Sequence, residues 1–101
     1  MDAVVWLTSA ERDLAHIHAY IAGGSRQDAD AMIRRMREAV ERLSVFLLSG
    51  RIVPERVGGS DREVTVGSYR VLYRYLLDEK LVAIVAVVHG RRQLPPVYFD
   101  Q

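Results

Sequence analysis

The stretch REVTVGSYRVLYRYLL, residues 62–77, decides the fold. Two runs rich in β-branched and aromatic residues flank Gly67 and Ser68, a two-residue connection of the kind that makes a tight hairpin turn. With that turn, Val66 faces Tyr69, Val64 faces Val71 and Glu63 faces Leu72. Side chains alternate along a strand, so one face carries Val64, Val66, Val71, Tyr73 and Tyr75. The other carries Glu63, Thr65, Arg70, Leu72 and Arg74. An apolar face of this size needs a second layer to cover it.

Downstream, LVAIVAVV at 81–88 predicts a third strand after a turn at Asp78 and Glu79. It is apolar on both faces, as befits a central strand covered on both sides or one with a face awaiting a partner. A two-residue turn there puts Val87 opposite Arg70 and His89 on the face of Arg70, Arg74 and Glu63.

Upstream, VVWL reads as a short buried strand. Thr8 and Glu11 have capping-box spacing, and Ala10, Leu14, Ile17 and Ile21 line one face of a first helix that ends at Gly23 and Gly24. Ser25, with Asp28 three positions on, opens a second helix whose stripe is Ala29, Ile33, Met36, Val40, Leu43 and Leu47. At ~1.5 Å per residue it would run about 33 Å, with Gly50 as its terminating residue. Helices joined so closely lie antiparallel. The order β-α-α-β-β-β describes an α+β domain, a helical hairpin packed on one face of a small, mostly antiparallel sheet.

At 101 residues the chain is one domain, residues 1–101. A net charge of +1 predicts no strong field, but thirteen of the fourteen basic residues are arginine. Arginine forks match carboxylates and phosphates, and a GC-rich genome raises the same count. Without cysteine there is no disulfide or thiolate metal site, and no cofactor is implied. The opening apolar run is too short for a signal peptide and no span reaches membrane length, so a cytoplasmic protein is expected.

The polar sheet face suits an anionic partner, or its arginines simply pair with Glu63 and a helix carboxylate. His89 is either a strand-end residue or a general base, with Arg70 and Arg92 stabilising a phosphorane-like transition state. Met32, Ala39 and Phe46 form a shoulder beside the core stripe of the second helix. That shoulder either receives an amphipathic partner helix or packs on the first helix.

WLTSAERDLAHIHAYIA, GRIVPE, REVTVGSYRVLYRY and VAVVHGRRQLP stand in an order and spacing that resemble the ParE/RelE superfamily of bacterial type II toxins, over nearly the whole chain. The resemblance implies a toxin neutralised by a cognate antitoxin. For the ParE-like branch this is a ParD-like protein with a ribbon-helix-helix N-terminal domain and a C-terminal toxin-binding segment. The RelE-like branch cleaves mRNA on the ribosome with strand lysines, a strand arginine, a basic residue after the last strand and a C-terminal tyrosine. Arg70, Arg92 and Tyr98 match the last three, whereas the lysine strand reads Arg62, Glu63, Val64, Thr65. Another ribonuclease variant uses a glutamate and a histidine, for which Glu55 and His89 are available. The ParE-like branch acts on DNA gyrase, and the GRIVPE, REV, YRVLYR and HGRR series resembles it most. On that reading Arg70, Arg74, His89, Arg91 and Arg92 meet the target, and Met32, Ala39 and Phe46 meet the antitoxin.

Overall fold

The hairpin forms in the register its alternation requires, with Val66 paired to Tyr69, Val64 to Val71 and Glu63 to Leu72. Gly67 takes φ +58°, the left-handed conformation that a side chain disfavours. The computed structural model describes residues 3–55 and 61–94. They form β1 (Ala3–Trp6), α1 (Thr8–Ala22), α2 (Arg26–Glu41), a 3-10 turn (Arg42–Ser44), β2 (Arg51–Ile52), β3 (Arg62–Val66), β4 (Tyr69–Leu76) and β5 (Leu81–His89). The sheet runs β1-β5-β4-β3-β2, with β1 parallel to β5 and the other pairs antiparallel. The two-residue β2 is an addition to the expected strand order.

Both helices cover one face. Leu14, Met36, Val40 and Leu43 pack there against Val66, Val71, Tyr73, Val82, Ile84 and Val87. The opposite face is covered as well: Val53 and Leu94 close over Leu72, Ala86 and Val88. That second small core is why β5 is apolar on both sides. No helix of the described residues is long and apolar enough to cross a membrane.

Four local expectations are corrected. Thr8 and Glu11 make no capping box: Leu7 is the N-cap, with no side-chain cap bond, and the Glu11 carboxylate takes two hydrogen bonds from Arg37 at 3.2 and 3.1 Å. The Arg37 guanidinium also lies 4.9 Å from the centre of the Trp6 ring, adding a cation–π contact to the ion pair. The second helix stops at Glu41 instead of running on to Leu47. There Ser44 donates to the Glu41 carbonyl at 2.8 Å, and the Tyr73 hydroxyl donates to the Leu47 carbonyl at 2.9 Å, so non-helical partners take the backbone. Ser25 does cap α2, accepting from the Asp28 amide at 3.1 Å.

Gly50 is not a helix terminator but a point of close approach. A Cβ there would stand 2.5 Å from the Glu63 carbonyl oxygen and 2.6 Å from the Tyr73 hydroxyl, to which the Gly50 amide donates at 3.0 Å. Gly50→Ala is expected to cost about 1–3 kcal/mol through overpacking. Urea denaturation measures it, and an unchanged midpoint would show that this crossing is not tight.

The fourth correction concerns register. From Leu76–Leu81 to Tyr73–Ile84 the β4–β5 pairing is the expected one, and then it shifts so that Leu72 pairs with Ala86 and Arg70 with Val88. Val85 is the extra residue of a β-bulge. Its carbonyl accepts from the Ser9 hydroxyl at 2.7 Å, and the Val87 amide donates to Asp13 at 3.0 Å. Two α1 side chains one turn apart thus serve backbone groups beside the irregularity, where ladder partners are displaced. Beyond the bulge every side chain of β5 changes face. His89 therefore pairs with Tyr69 and lies on the helix side, not with Arg70, Arg74 and Glu63.

Candidate functional site

Cross-strand pairing alone brings the charges of the outer face together. Arg51 of β2 lies opposite Glu63 of β3, and Arg70 of β4 lies opposite Thr65, diagonal to Glu63. Arg70 is 4% exposed and Glu63 1% exposed, so both carry their charges out of water. Their partners complete a chain of alternating sign. One Arg70 nitrogen, Nη1, donates to Glu55 Oε1 at 2.9 Å and to Glu63 Oε1 at 3.0 Å. Nη2 donates to Glu55 Oε2 at 2.7 Å and to the Arg92 carbonyl. Arg51 Nε donates to Glu63 Oε2 at 2.9 Å from the solvent side. The Leu94 amide donates to Glu55 Oε2 at 3.2 Å.

The cluster is a clasp. It fastens the segment after β2, through Glu55, and the segment after β5, through Arg92 and Leu94, onto the middle of the sheet. Hydrogen bonds from Arg70, opposed by the cost of burial, pull the Glu55 carboxyl down to about 2. The Arg70 guanidinium is correspondingly raised, chiefly by its bonds to Glu55. Glu55 is a poor proton acceptor near neutrality, and the forked end of Arg70 is fully engaged.

Beside the clasp, at the hairpin end of the sheet, lies a cleft of about 350 Å³. Arg51, Thr65, Ser68, Arg70, His89 and Arg91 line it. Gly90 lets the chain turn there: its amide donates to the Ser68 carbonyl at 2.7 Å, and a Cβ would stand 3.1 Å from that oxygen. The His89 ring meets Tyr69 edge-on at 5.7 Å and accepts the Arg91 amide at Nδ1. This leaves Nε2 as the protonated nitrogen of the neutral ring. The side chains of Arg91 and Arg92 are exposed and have no ionic partner among the described residues.

The residues singled out from the sequence separate accordingly. Arg70 and Glu55 come together in the clasp, and Arg74 reaches Asp61 at 2.6 Å. His89 and Arg91 meet in the cleft, with Arg92 next to them. Tyr98 lies outside the described residues. Met32 and Ala39 pack half-buried against the main core, whereas Phe46 is 62% exposed beyond the end of α2. Arg51, Asp61 and Leu94 were not anticipated. Arg51 was legible in principle, since it is the second residue of GRIVPE, twelve positions before Glu63, but only the strand pairing shows that the two meet.

Comparison with known proteins agrees with this architecture. A family model described as the ParE toxin of the type II toxin-antitoxin system parDE matches residues 4–94. Among solved structures, the chain is similar to one of the chromosomal ParDE system from P. aeruginosa, with a TM-score of 0.72 and 20% identity over 88% of this chain and 96% of that one. It is also similar to one from the RelBE2 toxin-antitoxin complex of Mycobacterium tuberculosis, with a TM-score of 0.58 and 24% identity over 87% and 96% of the two chains. A free, mutant RelE toxin of E. coli superposes with a TM-score of 0.58 at 15% identity, over 89% of this chain and 84% of that one. No curated protein sequence matches the chain.

Proposed function

Because the chain belongs to the family of ParE toxins of type II toxin-antitoxin systems, we propose that it halts bacterial growth in the cytoplasm by binding DNA gyrase, and that a ParD-like antitoxin neutralises it. The cleft at the hairpin end of the sheet and the exposed arginines beyond β5 make the target surface. His89, Arg91 and Arg92 are its contacting residues, Arg51 its rim, and Arg70 and Arg74 the paired residues behind it. Guanidinium groups with no ionic partner among the described residues, as at Arg91 and Arg92, suit an acidic protein surface or a phosphate backbone.

The observation that favours binding over RNA cleavage is the condition of Arg70. Its two forked nitrogens are held by Glu55, Glu63 and a backbone carbonyl, so they cannot also stabilise a pentacovalent phosphate without opening the clasp. Glu55, held at about 2, is mismatched to general-base work near neutrality. The bulge at Val85 also pairs His89 with Tyr69 on the helix side of the sheet, so His89 borders the cleft from the hairpin end.

Induction of the toxin in growing bacteria tests the reading. Double-strand breaks and an SOS response with intact mRNA are expected, and Arg91→Ala combined with Arg92→Ala should abolish both. Codon-periodic mRNA cleavage on ribosomes, without DNA breaks, would overturn the gyrase assignment in favour of the RelE-type activity.

A further inference from the structure

Charge is segregated in this molecule. The whole chain carries +1, yet the hairpin end of the sheet gathers Arg35, Arg51, Arg70, Arg91 and Arg92 around the two clasp carboxylates, Glu55 and Glu63. Five guanidiniums and two carboxylates leave three positive charges there, and two negative ones on the rest of the chain. Arg35 comes from α2, is exposed and has no ionic partner among the described residues. Its Nη1 lies 3.6 Å from the place a Cβ on Gly67 would take, so unpaired charge continues from Arg91 and Arg92 past the hairpin turn to the helix. Arg70 adds a buried donor: its Nε has no hydrogen-bond partner among the described residues, although both Nη atoms are engaged.

The walls of the cleft choose between the two kinds of anionic surface. Thr65 and Ser68 supply hydroxyls, and His89 supplies its Nε2 proton beside the arginines. Among the described residues no Asp or Glu, no aliphatic residue and no Phe, Tyr or Trp lines it. Protein interfaces are built around an apolar core with aromatic anchors, whereas interfaces with DNA are polar and strongly basic. Unpaired bases need aromatic platforms on which to stack, so a single strand finds no seat here either.

We propose that this arginine track binds the phosphate backbone of duplex DNA, so that the toxin meets gyrase where the enzyme holds its DNA. The inference rests on the gyrase reading above and adds to it the chemistry of the surface engaged. Arg35, Arg91 and Arg92 neutralise phosphates, and the hydroxyls of Thr65 and Ser68 donate to them. Contacts of this kind grip the backbone without reading base edges, so the binding is independent of sequence.

The probe is a short labelled DNA duplex, titrated with the purified toxin over a range of salt and followed by fluorescence anisotropy. With three phosphates neutralised, log affinity should fall against log salt with a slope of about −3, equally for unrelated sequences. Arg35→Ala should flatten that slope by about 1, and Arg35→Lys should restore it, because a point charge suffices for a phosphate. A slope that Arg35→Ala leaves unchanged, or that Arg35→Lys fails to restore, would overturn the track. So would absence of duplex binding at low salt, or tighter binding of a single strand of the same length. If the toxin still captures DNA-free gyrase in any of these cases, the gyrase reading survives them. Duplex binding with the expected slopes, by a toxin that neither captures gyrase nor breaks DNA in cells, would instead overturn the gyrase reading and leave the DNA track standing.

Discussion

Arg70→Met is expected to lose about 3–5 kcal/mol of folding stability, because it leaves two carboxylates buried without their cation. Glu63 has a fully buried side chain and Glu55 one that is 7% exposed. Arg51 still reaches Glu63, but nothing else among the described side chains pairs with Glu55. A loss of this size is a large share of the 5–15 kcal/mol typical of a domain, so the variant should melt far below the wild type. The decisive control combines Arg70→Met with Glu55→Gln and Glu63→Gln. Removing the orphaned charges should restore much of the loss, as neutral replacement of buried ion clusters often does. Urea denaturation of the set measures this, and a single variant within about 1 kcal/mol of wild type, the range of an exposed pair, would show that the clasp contributes little.

Acid should open the same clasp from the other side. The Glu55 carboxyl titrates at about 2 when folded, against 4.5 for a free glutamate, because Arg70 hydrogen-bonds its charged form. A depressed carboxylate contributes stability that is fully present above pH 4.5 and is lost as the pH falls toward 2. The separation corresponds to at most about 3 kcal/mol, which solvent screening reduces. Glu55→Gln should therefore flatten the stability profile between pH 4.5 and 2 relative to wild type while staying folded at pH 7. Equal slopes for the two proteins in that window would remove Glu55 from the acid response. Since the clasp holds Arg92 and Leu94, wild-type protein in the same window should also show a falling protection factor against hydrogen exchange at the Leu94 amide, relative to its intrinsic rate at each pH.

These effects bear on the proposed toxin through position rather than chemistry. The arginines offered to the target follow β5, and the Arg92 carbonyl is one of the groups that Arg70 grips. A loosened clasp would leave Arg91 and Arg92 present but unplaced. Arg70 is thus a positioning residue on this reading, and a change there should reduce target binding in step with lost order at Leu94.

Residues 62–77 were legible because a strand's period of two and a two-residue turn leave one register that keeps Val64, Val66, Val71 and Tyr73 on a common face. Ser25 was legible for a similar reason, since an N-cap bond spans three residues and depends on nothing distant. The end of α2 was not. Its apolar stripe continues through Leu43 and Leu47, both of which do reach the core, but the hydroxyl that claims the Leu47 carbonyl belongs to Tyr73, on another element. Thr8 and Glu11 misled in the same way, since the carboxylate found Arg37 across the helical hairpin.

By itself, then, the sequence determined what depends on neighbours along the chain: the hairpin, the cap of α2, the apolar faces of both helices and the α+β order. The tertiary structure alone decided which side chains share a face beyond Val85 and which charges are buried. A single bulge residue, accommodated by Ser9 and Asp13 more than seventy positions away, moved His89 across the sheet. Burial among Glu55, Glu63 and the Arg92 carbonyl turned Arg70 from a surface charge into a clasp. Both outcomes follow from the same physics: alternation converts one extra residue into a change of face, and a charge removed from water must be paired wherever the folded chain brings a partner.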